Sequence, residues 1–156
     1  AAPDGSSCRE VVFPVDAPNG VGLSPDGSSL YAAETHSGRV WRWALSGPGE
    51  LDAAQANPMG AGGGHLLAGL PGMQLLDSLA VDGEGWVCVA TLVNGGITQI
   101  SPDGDTLEHM AFDDPLVTNI CFGGDDLRTA YITLSGSGRL VSVPWPRPGL
   151  ALAHTR

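Results

Sequence analysis

Three residues with oxygen donors stand at equivalent places in three similar stretches of the sequence. Asn19, Asp77 and Thr118 each come directly before a short apolar run, and each run is followed by an acidic, glycine-containing turn. Carboxylate, amide and other side-chain oxygens are the ligands that a hard cation such as Ca²⁺ requires. Asn19 and Asp77, each taken alone, are also ordinary turn residues. A metal centre therefore depends on whether the fold brings the three positions together.

The three stretches follow one template of strand, turn, strand, glycine and strand. The turns are Ser24-Pro25-Asp26-Gly27, Asp82-Gly83-Glu84-Gly85 and Gly123-Gly124-Asp125-Asp126. Second strands are expected at residues 30–33, 86–89 and 130–133, and third strands at 40–43, 97–100 and 140–143. Proline presets φ and glycine accepts positive φ, so such turns close hairpins. Each repeat is therefore predicted to be an antiparallel meander.

Antiparallel meanders that repeat along a sequence are typical of the blades of a β-propeller. We predict an all-β chain forming a single partial propeller of about three four-stranded blades. Residues 1–17 would form the outer strand of a preceding blade, with the strand itself at 9–13. Residues 18–75 would form a blade with a long Gly-rich loop at 48–72, residues 76–117 a second blade, and residues 118–156 a last, incomplete blade. Because innermost strands line the central channel, Asn19, Asp77 and Thr118 would converge near its axis.

The composition excludes several classes of function. The 156 residues include 17 acidic and 7 basic side chains, all of the latter arginine, and the net charge of −10 argues against nucleic acid or an anionic membrane as a partner. The absence of lysine excludes Schiff-base chemistry by a lysine side chain. No apolar run is long enough to span a bilayer, and the first residues lack the order of a signal peptide. These features predict a soluble, cytoplasmic protein.

The cysteines and the catalytic motifs add further exclusions. Cys8, Cys88 and Cys121 are odd in number and far apart, with no Cys-x-x-Cys pair, so we expect reduced, buried thiols and a reducing compartment. The sequence contains no Gly-x-Ser-x-Gly, no His-Glu-x-x-His and no Gly-x-x-x-x-Gly-Lys. Nucleophilic-serine, zinc-protease and nucleotide chemistry therefore have no support.

Three segments resemble a known family. The segment APNGVGLSPDG at 17–27, followed by LYAAET at 30–35, is similar to the signature "PNG…SPDG…LYVAET". The segment DSLAVD at 77–82 with GWVCVA at 85–90, and the segment TNICFGG at 118–124 with LRTAYIT at 127–133, resemble the later motifs of the same family in the same order. The family is SMP-30/gluconolactonase/LRE-like, which contains metal-dependent lactone hydrolases, and the chain resembles its C-terminal half.

The resemblance implies a fold and a set of site residues. Family members are six-bladed propellers with one divalent metal at the axis, held by a Glu, an Asn and an Asp. The resemblance places the Asn at Asn19 and the Asp at Asp77, while the Glu would precede residue 1. Ca²⁺ is the first candidate for the metal, with Zn²⁺, Mg²⁺ and Mn²⁺ as alternatives. Thr118, Asn119 and Glu34 are candidates for contacts with the substrate.

The chemistry that the resemblance implies is hydrolysis of a small, sugar-like lactone. The cation would polarise the lactone carbonyl and activate a water, and Asp77 would act both as ligand and as the catalytic base that accepts the proton. The alternative is a truncated, non-catalytic propeller or an interaction module that lacks the complete metal site. In either case the missing N-terminal half, or self-association, is expected to close the propeller.

Overall fold

The computed structural model describes residues 4–152, which form three antiparallel sheets. The first sheet contains β1 (Pro18–Leu23), β2 (Ser29–Glu34), β3 (Arg39–Gly47), β4 (Glu50–Leu51) and β5 (His65–Gly69), with β4 and β5 both pairing with β3. The second contains β6 (Leu75–Val81), β7 (Val87–Leu92), β8 (Gly96–Ile100) and β9 (Leu107–Ala111). The third contains β10 (Val117–Gly123), β11 (Thr129–Leu134) and β12 (Arg139–Pro144). The prediction of an all-β chain of propeller type is confirmed.

The hairpin turns form because their sequences satisfy the backbone locally. In the first sheet Gly27 adopts a φ of 71° and donates its N–H to the Ser24 carbonyl at 2.8 Å, while the Asp26 carboxylate accepts the Ser28 N–H. The same four-residue sequence recurs after β8, where Gly104 has a φ of 83° and donates to the Ser101 carbonyl at 2.9 Å. A positive φ is strained for any residue with a Cβ, so each turn depends on its glycine.

Two hydrophobic layers hold the three sheets in a stack. The layer between the first and second sheets is built from fully buried side chains that include Val40, Leu76, Val87 and Val89. The layer between the second and third sheets contains Cys88, Ala90, Ile97, Val117, Ile120, Ala130, Ile132, Leu134 and Trp145. Successive residues of a strand point to opposite faces, so β7 contributes Val87 and Val89 to one layer and Cys88 and Ala90 to the other. The second sheet is therefore buried on both faces.

The first residues are described without a strand partner. Residues 4–17 pair with no strand of the described chain, and the interpretation of 9–13 as the outer strand of a preceding blade stays a prediction. The segment lies on the face of the first sheet. There Val12 and Val15 pack against the cluster of Ala32, Trp41 and Trp43. The segment thus covers an apolar face without joining the backbone ladder.

The Gly-rich stretch at 48–72 is only partly a loop. It contains the short strand β4, two 3₁₀ turns at Ala53–Gln55 and Ala61–Gly63, and the fourth strand of the blade, β5. The strand forms because Leu67 and Ala68 are buried against the first hydrophobic layer. No helical segment among residues 4–152 has the length and apolar character needed to cross a membrane.

The prediction of buried cysteines is correct for one residue and wrong for two. Cys88 is completely buried, and burial raises the pKa of its thiol far above the ordinary value. Cys8 and Cys121 are exposed, and all three thiols are free. Cys8 lies in the segment that forms no strand, and Cys121 lies on the face of the third sheet that no other described sheet covers.

Candidate functional site

A β-bulge interrupts the innermost strand of each sheet at the same place. In β1 the register with β2 shifts between Pro18 and Val21. In β6 the register shifts between Leu76 and Leu79, and in β10 between Val117 and Asn119. The three positions singled out in the sequence, Asn19, Asp77 and Thr118, therefore all lie on bulges. A bulge re-aims the side chains of its strand and is often found beside functional sites.

The first two bulges are in direct contact. Gly20 is buried, and a Cβ atom at this position would lie 2.4 Å from the Leu79 nitrogen and 2.8 Å from the Asp77 carbonyl oxygen. Only a residue without a side chain allows the two backbones to approach this closely. Asn19 and Asp77 are thereby placed on adjacent strands whose bulges touch.

The side chains of Asn19 and Asp77 have no protein partner within residues 4–152. Asn19 is exposed and Asp77 is half-buried, and neither side chain makes a hydrogen bond or an ion pair in the described part of the chain. Most polar groups that are removed from water are hydrogen-bonded. An amide and a carboxylate that are both left free, on touching bulges, are available to bind a ligand.

Thr118, at the third bulge, differs from the other two residues. Its hydroxyl is 2.8 Å from the Thr133 hydroxyl and 2.8 Å from the Ser135 hydroxyl, so it belongs to a hydrogen-bond network within its own sheet. Asn119 next to it is exposed, and its Oδ1 accepts the Ile120 N–H at 2.8 Å. The Nδ2 group of Asn119 has no partner within residues 4–152. Of these two candidates for contact with a substrate, Asn119 has the freer side chain.

Glu34 is a buried structural residue at the end of β2. Its Oε1 accepts the Asp16 N–H at 2.9 Å and its Oε2 accepts the Ser37 hydroxyl at 2.7 Å, which ties the chain before β1 to the first sheet. Burial by itself would raise the pKa of Glu34, but these hydrogen bonds and the nearby Arg39 guanidinium outweigh it and hold the pKa below its ordinary value. Both oxygens are engaged, so the geometry favours a structural role over contact with a substrate.

The donor set at the bulges suits a hard cation but is small. An amide oxygen and a carboxylate match the oxygen ligands of Ca²⁺ or Mg²⁺, and the half-buried Asp77 carboxylate lacks any other counter-charge in the described chain. No group of three His, Cys, Asp or Glu side chains with metal-binding geometry occurs among residues 4–152. The chain thus offers two donors on touching bulges, and a complete coordination shell needs others.

An apolar groove runs along the inner strands from the bulges to their opposite end. It has a volume of about 240 Å³ and is lined by residues 21–23 of β1, 79–81 of β6 and 120–122 of β10, with Leu150 and Leu152. The residues after β12, which reach this groove, are not singled out by any motif of the sequence. One signal is present, because the second repeat has Asp82-Gly83-Glu84-Gly85 where the first repeat has Ser24-Pro25-Asp26-Gly27.

Comparison with known proteins agrees with this architecture. The profile of the family described as SMP-30/Gluconolactonase/LRE-like region matches residues 1–136. The structure is similar to that of a gluconolactonase from Xanthomonas campestris, with a TM-score of 0.71 and 26% identity over 92% of this chain and 42% of that one.

Two characterised relatives are lactonases by name. The chain is 31% identical to 6-deoxy-6-sulfogluconolactonase of Pseudomonas putida over 137 residues, which cover 86% of this chain and 44% of the relative. It is 30% identical to a pentonolactonase of Haloferax volcanii over 122 residues, which cover 78% of this chain and 39% of the relative. The chain therefore spans about two-fifths of the length of these relatives. From the profile match and these identities, the chain belongs to the SMP-30/gluconolactonase/LRE-like family.

Proposed function

We propose that this chain supplies two ligands, Asn19 and Asp77, to the divalent-metal centre of a lactonase. The observation that carries the proposal is the pair of unpartnered oxygen donors on touching bulges of adjacent inner strands. The names of the relatives support the substrate class, since they describe hydrolases of sugar-derived lactones. Ca²⁺ is the first candidate for the metal because both donors are hard oxygens, and Mg²⁺, Mn²⁺ or Zn²⁺ are alternatives.

Each residue has a distinct part in the proposed hydrolysis. When bound, a divalent cation supplies Lewis-acid polarisation of the lactone carbonyl. The Asp77 carboxylate holds the cation and accepts the proton of the attacking water, and Asn19 contributes a neutral oxygen whose position is fixed by the bulge. Asn119 uses its free Nδ2 group to contact a ring hydroxyl of the substrate. Thr118 and Glu34 support the site through the bonds that hold their strands.

A second candidate function is an interaction module without catalysis. It is favoured by the lack of any cluster of three His, Cys, Asp or Glu side chains within residues 4–152. The outer face of the third sheet also carries large apolar side chains in the open, with Tyr131 at 40% and Leu140 at 69% exposure. Under this alternative the chain contributes a surface to a larger propeller, and the metal and its chemistry play no part.

Calorimetric titration of the 156-residue chain with Ca²⁺ separates the two candidates. The lactonase proposal expects binding that Asp77→Asn weakens at least about tenfold, the lower range seen when even the outer partners of a metal site are lost. Asp125→Asn, on an exposed turn of the third sheet, is the matched control and should bind as the parent does. Hydrolysis of a six-carbon sugar lactone, followed in a pH-stat, should then stop on addition of EDTA. A parent chain that binds no Ca²⁺, Mg²⁺, Mn²⁺ or Zn²⁺ would favour the interaction module.

A further inference from the structure

The residues after β12 fold back across the ends of the second and third sheets, and we call residues 145–152 the strap. The Gly83 N–H donates to the Pro148 carbonyl at 2.7 Å, and the Leu150 N–H donates to the Val81 carbonyl at 3.4 Å. Gly149 also forms an antiparallel bridge with Asp82. The strap therefore pairs with the end of β6, the inner strand of the second sheet.

The strap is bonded to the third sheet as well. The Trp145 N–H donates to the Arg128 carbonyl at 2.7 Å, and the Gly149 N–H donates to the Leu127 carbonyl at 2.8 Å. Trp145 is buried, and its ring packs on Phe122 with 5.7 Å between the ring centroids. Backbone bonds to two sheets mean that the strap fixes the sheets to each other at this end.

Arg147 fastens the strap to the second sheet through a buried charge. Its Nε donates to the fully buried Asp82 carboxylate at 2.5 Å, and a terminal nitrogen donates to Gln99 Oε1 at 2.5 Å. The guanidinium carbon lies 4.1 Å from the centroid of the Trp86 ring, which adds a cation–π contact. With a side-chain exposure of 11%, Arg147 is largely withdrawn from water. Removing one partner of such a pair leaves the other buried and unpaired.

Gly149 lets the strap lie flat against the third sheet. A Cβ atom at this position would be 2.2 Å from Phe122 Cβ and 2.4 Å from Phe122 Cγ, far closer than atoms can approach without displacement. The φ of Gly149 is not in the left-handed region, so the requirement for glycine is one of space alone. Beyond Gly149, Leu150 and Leu152 line the apolar groove together with the ends of all three inner strands.

We propose that the strap closes the end of the inner-strand groove opposite the bulges, with Arg147 as the residue that holds it in place. Leu150 and Leu152 add apolar side chains to the groove walls formed by β1, β6 and β10. The bulge end, with Asn19 and Asp77, is then the open end of the groove. The proposal needs neither metal nor lactone, so its test is independent of the proposed function.

Hydrogen exchange of the whole chain tests the strap directly. Arg147→Ala is expected to speed exchange at the Gly83, Gly149 and Leu150 amides by at least about tenfold, the effect of losing about 1.4 kcal/mol of local protection. Amides of β7 should keep their protection, which shows that the fold is intact. Arg139→Ala is the matched control, because Arg139 bonds to Ser137 and to the Asp113 carbonyl, away from the strap. Unchanged exchange at the Gly83, Gly149 and Leu150 amides would overturn the proposal.

A second variant covers the case in which Arg147→Ala does not fold. Gly149→Ala keeps the ion pair but displaces the strap from Phe122, and Gly69→Ala is its control, because a Cβ at Gly69 meets no atom within 4 Å. The uncharged hydrophobic dye Nile red should fluoresce more strongly with Gly149→Ala than with Gly69→Ala or the parent, because the groove is uncovered. Equal dye fluorescence in the three proteins, with equal exchange at Leu150, would show that the strap does not close the groove.

Discussion

The two ends of the inner strands differ in whether their acidic side chains have hydrogen-bond partners. At the bulge end, Asp77 is half-buried and has no partner within residues 4–152, and Asn19 beside it is equally free. At the strap end, Asp82 is fully buried but accepts hydrogen bonds from Arg147 and from the backbone N–H groups of Glu84 and Trp86. A hydrogen-bonded carboxylate stabilises the fold, whereas an unpartnered carboxylate beside a bulge is available to bind a ligand. Asp77 within β6 and Asp82 just after it are five residues apart, yet only Asp82 has hydrogen-bond partners in the described chain.

The largest effect that the comparison predicts is on stability at the strap end. Asp82→Ala should lower the free energy of unfolding by about 3–5 kcal/mol, because it leaves the Arg147 charge and two backbone N–H groups buried without an acceptor. Urea denaturation of the metal-free chain measures this. Asp77→Ala, with no bond to lose, should cost less than about 1 kcal/mol. Equal losses for the two variants would remove the distinction between the two ends.

A smaller effect is expected where the two bulges touch. Gly20→Ala places a methyl group 2.4 Å from a backbone nitrogen, so the strands must separate, at a cost of about 1–3 kcal/mol. The Ca²⁺ affinity of Gly20→Ala should also fall, because separating the strands moves Asn19 and Asp77 apart. Gly47→Ala is the control, since its Cβ would meet only a Glu50 oxygen at 3.9 Å. A Gly20→Ala variant with parental stability and parental Ca²⁺ affinity would show that the close approach of the strands is not needed.

The smallest effect concerns Glu34, the carboxylate at the bulge end that does have partners. Its pKa is lowered in the folded state, so its ionised form stabilises the fold above about pH 4.5, the ordinary value, and this contribution is lost as the pH falls through the folded pKa. Glu34→Gln should therefore cost about 1–2 kcal/mol at pH 7 and much less at pH 3. Unfolding curves at the two pH values measure the difference. A cost that is equal at both would mean that the charge of Glu34 is not what its partners recognise.

Local features of the chain could be predicted from its sequence because their causes are local. The Ser-Pro-Asp-Gly turns and the alternating strands follow from φ preferences and side-chain periodicity, and they set the three sheets. The sequence did not predict β5, the fourth strand of the first blade, because glycine and alanine surround it. Leu67 and Ala68 become core residues only when the second sheet packs on them. The segment at 9–13 has strand composition, and its described contacts are side-chain packing of Val12 on the face of the first sheet.

The candidate residues could be chosen from the sequence, but the local geometry that the structure gives them could not. The repeat aligns Asn19 with Asp77. The residue types do not predict the bulges that change the direction of these side chains, because a bulge is a property of the pairing between two strands. The strap was missed for a similar reason. Arg147 and Asp82 are 65 positions apart, and no periodic pattern links an arginine in a proline-rich stretch to an aspartate in a turn.

The buried layer between the second and third sheets contains a thiol that can report when these sheets separate. Cys88 lies in that layer with a thiol that does not ionise near neutral pH, whereas Cys8 and Cys121 are open to solvent. A maleimide should therefore modify Cys8 and Cys121 rapidly, and Cys88 only when these two sheets separate. The rate of that last alkylation would report how often the second and third sheets separate.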